Sequence, residues 1–323
     1  MKPIIKPVDR KLILSELTDD KLVRSTRKGG NLIYEITAHD SPNTMREIGR
    51  LREVSFRMAG GGTGESIDID HYDIDEQNPY KQLIVWDPKN EEILGGYRYI
   101  LCGGLDPEKL ATKELFNFSD KFINEYMPVT IELGRSFVQP NYQGTNINRK
   151  GIFALDNLWD GLGSLMIKYD NYSYFFGKVT MYTSYNSKAR NTLLNFMHKY
   201  FPDTEQMITP IEALEYDKDN VYYQNIFKDL DYKEAYKVLF QEIKQNGELI
   251  PPLINSYMNL TPTMRVFGTS INKDFGGVEE TGILLNYTEI FPEKVERHLN
   301  PIHAFLKTFG KGVRPKWWRR EKQ

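Results

Sequence analysis

Short apolar runs of two different periods alternate along most of this chain. LIYEIT, from Leu32 to Thr37, has the β-prone content of a first strand. SPNTMREIGRLREVSFRMAG follows with helical spacing: apolar residues recur at Met45, Ile48 and Leu51, Ser41 is placed to cap, and Pro42 suits the first helical position. Glycines at 60, 61, 62 and 64 stop that helix. QLIVWDP and EILGGYRYIL read as a hairpin around a Pro-Lys-Asn turn. A helical stretch is predicted around residues 113–126, then the strand VTIELGRSFV, a helix over 149–169 and the strand KVTMYTSY. SKARNTLLNFMHKYF gives an amphipathic helix with Ser187 placed as its cap. Residues 211–246 read as charged and mainly helical, and 264–290 return to β-like alternation.

This order of elements implies an α/β protein with one mixed central sheet flanked by helices. Residues 1–30 read as a loosely attached arm, 31–210 as the core, 211–305 as a helical and β extension packed on it, and 306–323 as a basic tail. The chain has 323 residues, 40% of them hydrophobic and 27% charged, which suits one large domain plus an extension. A formal charge of −2 argues against bulk nucleic-acid binding. With Cys102 as the single cysteine, no intrachain disulfide or multi-cysteine metal site forms, and a buried apolar role suits it better than nucleophilic chemistry. The N-terminus lacks a signal-peptide pattern, and no run approaches the roughly 18 apolar residues of a membrane span. A cytoplasmic protein is the expectation, with surface attachment to a membrane left open.

Four local patterns carry candidate chemistry. Arg52 and Phe56 lie one helical turn apart. Asp70-His71-Tyr72-Asp73 sits in an acidic loop. Gly95-Gly96-Tyr97-Arg98 reads as the end of a hairpin turn. Glu132-Leu133-Gly134-Arg135-Ser136-Phe137-Val138 reads as a strand ahead of Gln139-Pro140-Asn141-Tyr142. In that order, LRxxxF, DxxD, GxYR and ELGRSxVxPxY resemble the ornithine-lipid and glycine-lipid N-acyltransferases. They are also similar to the acyl-homoserine-lactone synthases, which share the GNAT fold. GELIPPLINSYMNLTPTMRVFGTSINKDFGG resembles the C-terminal signature of the lipid-forming branch. The synthases carry a tryptophan shortly after the position of Phe56, where this chain has RMAGGGTG, and they lack the PPL-containing extension. Both departures favour the lipid-forming branch.

The resemblance implies transfer of a long, 3-hydroxylated fatty acyl group from acyl carrier protein to an amino acid's α-amine. No metal or nucleotide is needed, and the donor brings its own 4′-phosphopantetheine. Such a reaction needs a carboxylate to hold and help deprotonate an ammonium, and Glu132 is the candidate, unless it only pairs with a neighbouring arginine. Glu132 and Arg135 face one site only if a bulge interrupts the strand, and Gly134 suits one. The resemblance further implies a backbone oxyanion contact near Phe137 or Val138. Asp70 and Asp73 are candidates for recognising the ammonium or shaping the acyl entrance, or form a solvated loop; the spacing does not fit an EF-hand. Arg52, Arg98 and Arg135 supply either a clamp for the amino acid's carboxylate or counter-charges for the aspartates.

QGTNINRKG occupies the place of the GNAT pyrophosphate loop, but Gly144 is followed by Asn146 where CoA users have a small residue. A carrier-protein donor fits better, with Arg149 and Lys150 meeting its acidic surface, or these begin an ordinary basic helix. Asn186 and Ala189 are similar to the GNAT Asn-x-x-Ala pattern beside the donor thiol, and Tyr185 is a candidate proton donor to the leaving thiolate or a core tyrosine. The glycine cluster lacks the Gly-Lys-Ser/Thr of a phosphate loop. KTFGKGVRPKWWRREKQ holds seven basic residues and one acidic residue among 17, with Trp317 and Trp318 between them, which fits an anionic membrane surface or a solvated tail. Glycine is preferred over ornithine as acceptor, because the Tyr/Asn/Lys-rich composition is like that of gut Bacteroidetes chains. Rival readings are a homoserine-lactone-like synthase and a non-catalytic, haemolysin-like lipid-binding protein.

Overall fold

The computed structural model describes residues 1–143, 151–218 and 220–294, except for the side chains of 151 and 152. In chain order the main elements are α1 (Arg10–Glu16), β1 (Leu22–Ser25), β2 (Leu32–Ile36), α2 (Pro42–Ala59), β3 (Lys81–Asp87), β4 (Glu92–Leu101), β5 (Phe116–Phe118) and β6 (Thr130–Val138). These are followed by α3 (Gly151–Lys168), β7 (Tyr174–Met181), α4 (Ser187–Tyr200), β8 (Ile208–Pro210), α5 (Val221–Ile226), α6 (Tyr232–Gln245), α7 (Pro252–Met258), β9 (Arg265–Asn272) and β10 (Val278–Asn286). Eight strands make one sheet in the order β1-β2-β3-β4-β6-β7-β10-β9, and β5 pairs with β8 apart from it.

Both faces of the sheet are covered, so β3 and β4 read as near-continuous apolar runs. Leu83 and Val85 of β3 pack toward Leu158, Leu162 and Leu165 of α3, and the intervening Ile84 and Trp86 pack toward Met45, Ile48 and Leu51 of α2. Residues 113–126, expected to be helical, instead form a 3₁₀ turn, the short strand β5 and one π turn. They close a third apolar cluster around Phe116, Phe122 and Phe176.

Among the described strands only β6 and β7 pair in parallel, and their pairing is brief: Thr130↔Tyr174, Ile131↔Phe175 and Glu132↔Phe176. Gly177 follows this stretch. A Cβ there would lie 2.6 Å from the carbonyl oxygen of Leu133, so only glycine lets the strands meet before they part. Beyond it the two strands are unpaired, and a cavity opens between them. Gly95 acts similarly within β4, where a Cβ would stand 2.4 Å from the carbonyl oxygen of Phe137. The GGYR sequence therefore lies inside a strand and does not end a turn, contrary to the sequence reading.

The first 30 residues and the strands β9 and β10 are integral to the fold. Residues 1–30, expected as a loose arm, supply α1 against α2 and the edge strand β1. β9 and β10, from the expected extension, complete the core sheet on β7. Ser41 stands at the N-cap of α2 without making a side-chain capping bond. Glu16 of α1 does that work: its carboxylate accepts from the N–H groups of Asn43 (2.9 Å) and Thr44 (2.7 Å) and from both of their side chains (2.7 Å each). Burial pushes the Glu16 carboxyl up, but the Thr44 and Asn43 donors outweigh it and hold the group below its ordinary value.

A carboxyl lowered on folding stabilises the protein fully above its unfolded-state pKa, and that contribution is lost as pH falls through the lower folded-state value. Glu16→Ala should therefore lose about 1–2 kcal/mol of stability at neutral pH, with the gap to the unaltered protein narrowing in acid. Urea unfolding at several pH values measures both, and a gap independent of pH would contradict the capping role.

Candidate active site

The cavity between the parted strands has a volume of about 540 Å³. Its walls come from α2, β6, α3, β7, α7 and β10. Because strand residues alternate between faces, it presents two chemistries. On the α2 side stand Arg135, Lys178, Thr180 and Glu280, with the rings of Phe56 and Phe275 5.1 Å apart. On the α3 side the walls are apolar, with Leu133, Leu155, Leu158, Leu253, Ile283 and Leu285.

A bulge in β6 sets this arrangement. Gly134 pairs with Arg98 and Phe137 with Gly96, so Arg135 and Ser136 together oppose the single residue Tyr97. The extra residue shifts the alternation and turns Arg135 to the face that Glu132 shares. The left-handed residue is Arg135 itself (φ 48°) and not Gly134, on which the sequence argument rested. A non-glycine residue held there costs on the order of 1 kcal/mol. Asp68 offsets that cost, with its carboxylate 3.0 Å from Arg135 Nε, as does the Phe275 ring, 4.5 Å from the guanidinium carbon.

The acidic loop and the arginines form one buried network. Arg52 is fully buried and donates to Asp73 at 3.0 Å and to Gln82. Arg98 donates from Nη1 to both oxygens of Asp70 at 2.7 Å, and the same nitrogen lies 3.3 Å from Asp73. Asp70 also lies 3.5 Å from Arg135. Burial pushes Asp70 up, yet Arg98 and Arg135 outweigh it and hold the carboxyl far below the usual range. Arg98 is conversely raised: burial lowers it, and Asp73 and Asp70 more than compensate. Arg52, Arg98, Asp70 and Asp73 do not line the cavity, so the acidic loop serves as counter-charge to the arginines and not as a direct contact for an ammonium.

Glu132 is also set back. It accepts from Tyr80 Oη (2.9 Å), Thr112 N (3.2 Å) and Thr112 Oγ1 (2.9 Å), is 1% exposed and lines no part of the cavity. Burial raises its carboxyl against those hydrogen bonds. A base must reach the proton it takes, directly or through a water, and Glu132 is enclosed by Tyr80 and Thr112 and does not itself line this cavity. The carboxylate that does line the cavity is Glu280, alone in that respect among the described residues. It pairs with Lys178 and accepts from Thr180 and Asn272 at 3.1 Å each. Burial pushes Glu280 up, but Lys178 and Asn272 outweigh it, and the group stays ionised below its ordinary value. Its signal in the sequence was a carboxylate inside the apolar strand VEETGILLN, and the neighbouring Glu279 obscured which of the two faces the cavity.

Phe56, Phe137 and Val138 line the cavity, and Val138 O accepts from Gln143 Nε2 at 2.6 Å. Asn186, not Ser187, caps α4: its side chain accepts from Lys188 N (2.9 Å) and Ala189 N (3.2 Å). Tyr185 donates to Leu249 O at 2.9 Å and does not line the cavity, which suits the core-tyrosine reading better than that of a proton donor. Gly144, Arg149 and Lys150, and the basic tail, lie outside the described residues.

Removing one partner of a buried ion pair leaves the other charge uncompensated. Asp73→Ala should therefore lose about 3–5 kcal/mol of stability, read by urea unfolding. Unchanged stability with weakened substrate binding would return the acidic loop to the substrate.

A family model described as Acetyltransferase (GNAT) domain matches residues 51–150. A glycine N(alpha)-acyltransferase of Phocaeicola vulgatus is 52% identical over 312 residues, covering 95% of this chain and 94% of that protein. One of Bacteroides thetaiotaomicron is 54% identical over 304 residues, covering 93% and 90%. The crystal structure of the AHL synthase LasI aligns with a TM-score of 0.33 at 13% identity, over 46% of this chain and 72% of that one, too loosely to add weight. Among the described residues no helix is long and apolar enough to cross a membrane. The two full-length relatives settle the kinship: the chain is an enzyme of the GNAT-fold N-acyltransferase family to which these glycine N(alpha)-acyltransferases belong.

Proposed function

We propose that this enzyme moves a 3-hydroxylated fatty acyl group from acyl carrier protein to the α-amine of glycine, the first step toward an aminolipid. The observation that carries this reading is the cavity's division into a charged end and an apolar end. A free amino acid is a zwitterion. Arg135 and Lys178 match its carboxylate, and Glu280 matches its ammonium. The apolar end suits an acyl chain. Glu280 is the sole carboxylate lining the cavity among the described residues, which favours an acceptor with one ammonium. Ornithine would bring a second with no carboxylate to meet it. The names of the two relatives support glycine as well.

In the proposed step the amine nitrogen attacks the thioester carbonyl, the C–N bond forms, and the C–S bond breaks. The ammonium gives up two protons, one retained by the departing thiol and one released to solvent. Glu280, held ionised by Lys178, acts as a charge partner that orients the amine. The bulge at Arg135–Ser136 directs backbone of β6 toward the carbonyl, where charge develops. A carrier-protein donor and a membrane-surface location rest on the resemblance and on the basic, tryptophan-bearing tail.

The purified protein, incubated with 3-hydroxyacyl carrier protein and an equimolar pool of amino acids, should yield N-acylglycine by mass spectrometry. An acylated ornithine would move the acceptor, and an intact thioester with folded protein would reject acyl transfer from this donor. Glu280→Gln should lower kcat/KM for glycine by about 100-fold, chiefly through KM. Retention of full activity would remove Glu280 from the acceptor site.

A further inference from the structure

Within the apolar half of the cavity one polar atom is left over. Tyr97 is 3% exposed and lines the cavity, and its hydroxyl oxygen is buried without a hydrogen-bond partner. The hydroxyls of Ser136 and Tyr257 stand beside it on the cavity wall and interact with its phenol, but neither makes a hydrogen bond of ordinary length and angle to it. A buried hydroxyl without a partner is unfavourable and uncommon, and one bordering a cavity is positioned to be satisfied by what the cavity binds.

Its location narrows the ligand. Tyr97 is the residue of β4 that faces the bulge, so its hydroxyl sits beside the segment where the reacting carbonyl is placed under the proposed function. Leu155, Leu158, Leu253 and Ile283 on the same wall offer nothing polar. The unmet hydrogen bond is thus available beside the bulge, where the proposed reaction places the thioester end of the donated chain. Tyr257 is held in place by an edge-on contact with Trp159, ring centroids 5.4 Å apart. Burial raises the phenols of both Tyr97 and Tyr257, so each keeps its proton and remains a donor at neutral pH.

We propose that Tyr97 is a specificity-determining residue that hydrogen-bonds a hydroxyl group carried near the thioester end of the acyl chain, with Ser136 and Tyr257 completing the contact. This rests on the reading of the cavity as an acyl site and deepens it. A plain chain would bury the Tyr97 hydroxyl against methylene groups, leaving it unpaired, and sites built around a hydrogen bond discriminate strongly against ligands that lack it.

The test compares hexadecanoyl and 3-hydroxyhexadecanoyl carrier protein as donors to glycine, for the unaltered protein and for Tyr97→Phe. The ratio of kcat/KM for the hydroxylated over the plain donor should be about tenfold or more in the unaltered protein and fall toward one in Tyr97→Phe. Ser136→Ala should move the same ratio in the same direction, which guards against a Tyr97 variant that folds poorly. A ratio unchanged in both variants overturns the proposal, as does an equal loss on both donors, which would place Tyr97 on the thioester that they share. Failure of the unaltered protein to use either donor would instead overturn the acyl-transfer reading, and this one with it.

Discussion

The site depends on one unfavourable backbone conformation and the charges that hold it. Arg135 sits in the left-handed region that a non-glycine side chain avoids. Its guanidinium is tied to Asp68 and lies near Asp70, and Asp70 in turn is held by Arg98, whose neighbour Asp73 is held by Arg52. Three arginines and three aspartates therefore balance in a buried patch beneath the sheet. Buried charges of this kind add little stability over an apolar core, so their value lies in fixing one geometry. Here the geometry is the bulge. Without it, the period of two would turn Arg135 to the α3 face, and the cavity's charged end would lose one of its two cations.

The same alternation explains how one cavity carries two chemistries. Lys178 and Thr180 on β7, and Glu280 on β10, project to the α2 side, while Phe175, Ile283 and Leu285 on the same strands project to the α3 side. A gap between parted strands opens both faces to one space. Gly177 is the pivot, since its missing side chain lets β7 press against Leu133 just before the strands separate.

Much of this was legible beforehand, and the failures have physical causes. The α/β class and most strands followed from the order and period of the apolar runs, of which QLIVWD is the clearest. The need for a bulge followed from Glu132 and Arg135 being three apart. Its left-handed residue did not, because glycine is the cheaper occupant and the buried aspartates that favour Arg135 come from a loop over 60 residues earlier. The enclosure of Glu132 was not legible for a related reason. A carboxylate in a motif strand looks chemically active, but Tyr80 and Thr112, which enclose it, are contributed by distant turns. Glu280 and the hydroxyl of Tyr97 were not singled out because each has polar neighbours in its own strand, and only the folded sheet reveals which of them borders the cavity.

Charge balance also bears on how the proposed reaction ends. In the unliganded protein Lys178 pairs with Glu280. A zwitterion enters by exchanging partners, its carboxylate taking Lys178 and Arg135 and its ammonium taking Glu280, so no buried charge is stranded. Acylation erases the ammonium's charge and not the carboxylate's. Glu280 then lacks a counter-charge unless Lys178 returns to it, and that return weakens the hold on the product's carboxylate. In the proposed reaction, an ion pair that opened for the acceptor and closed on the product would couple amide formation to release.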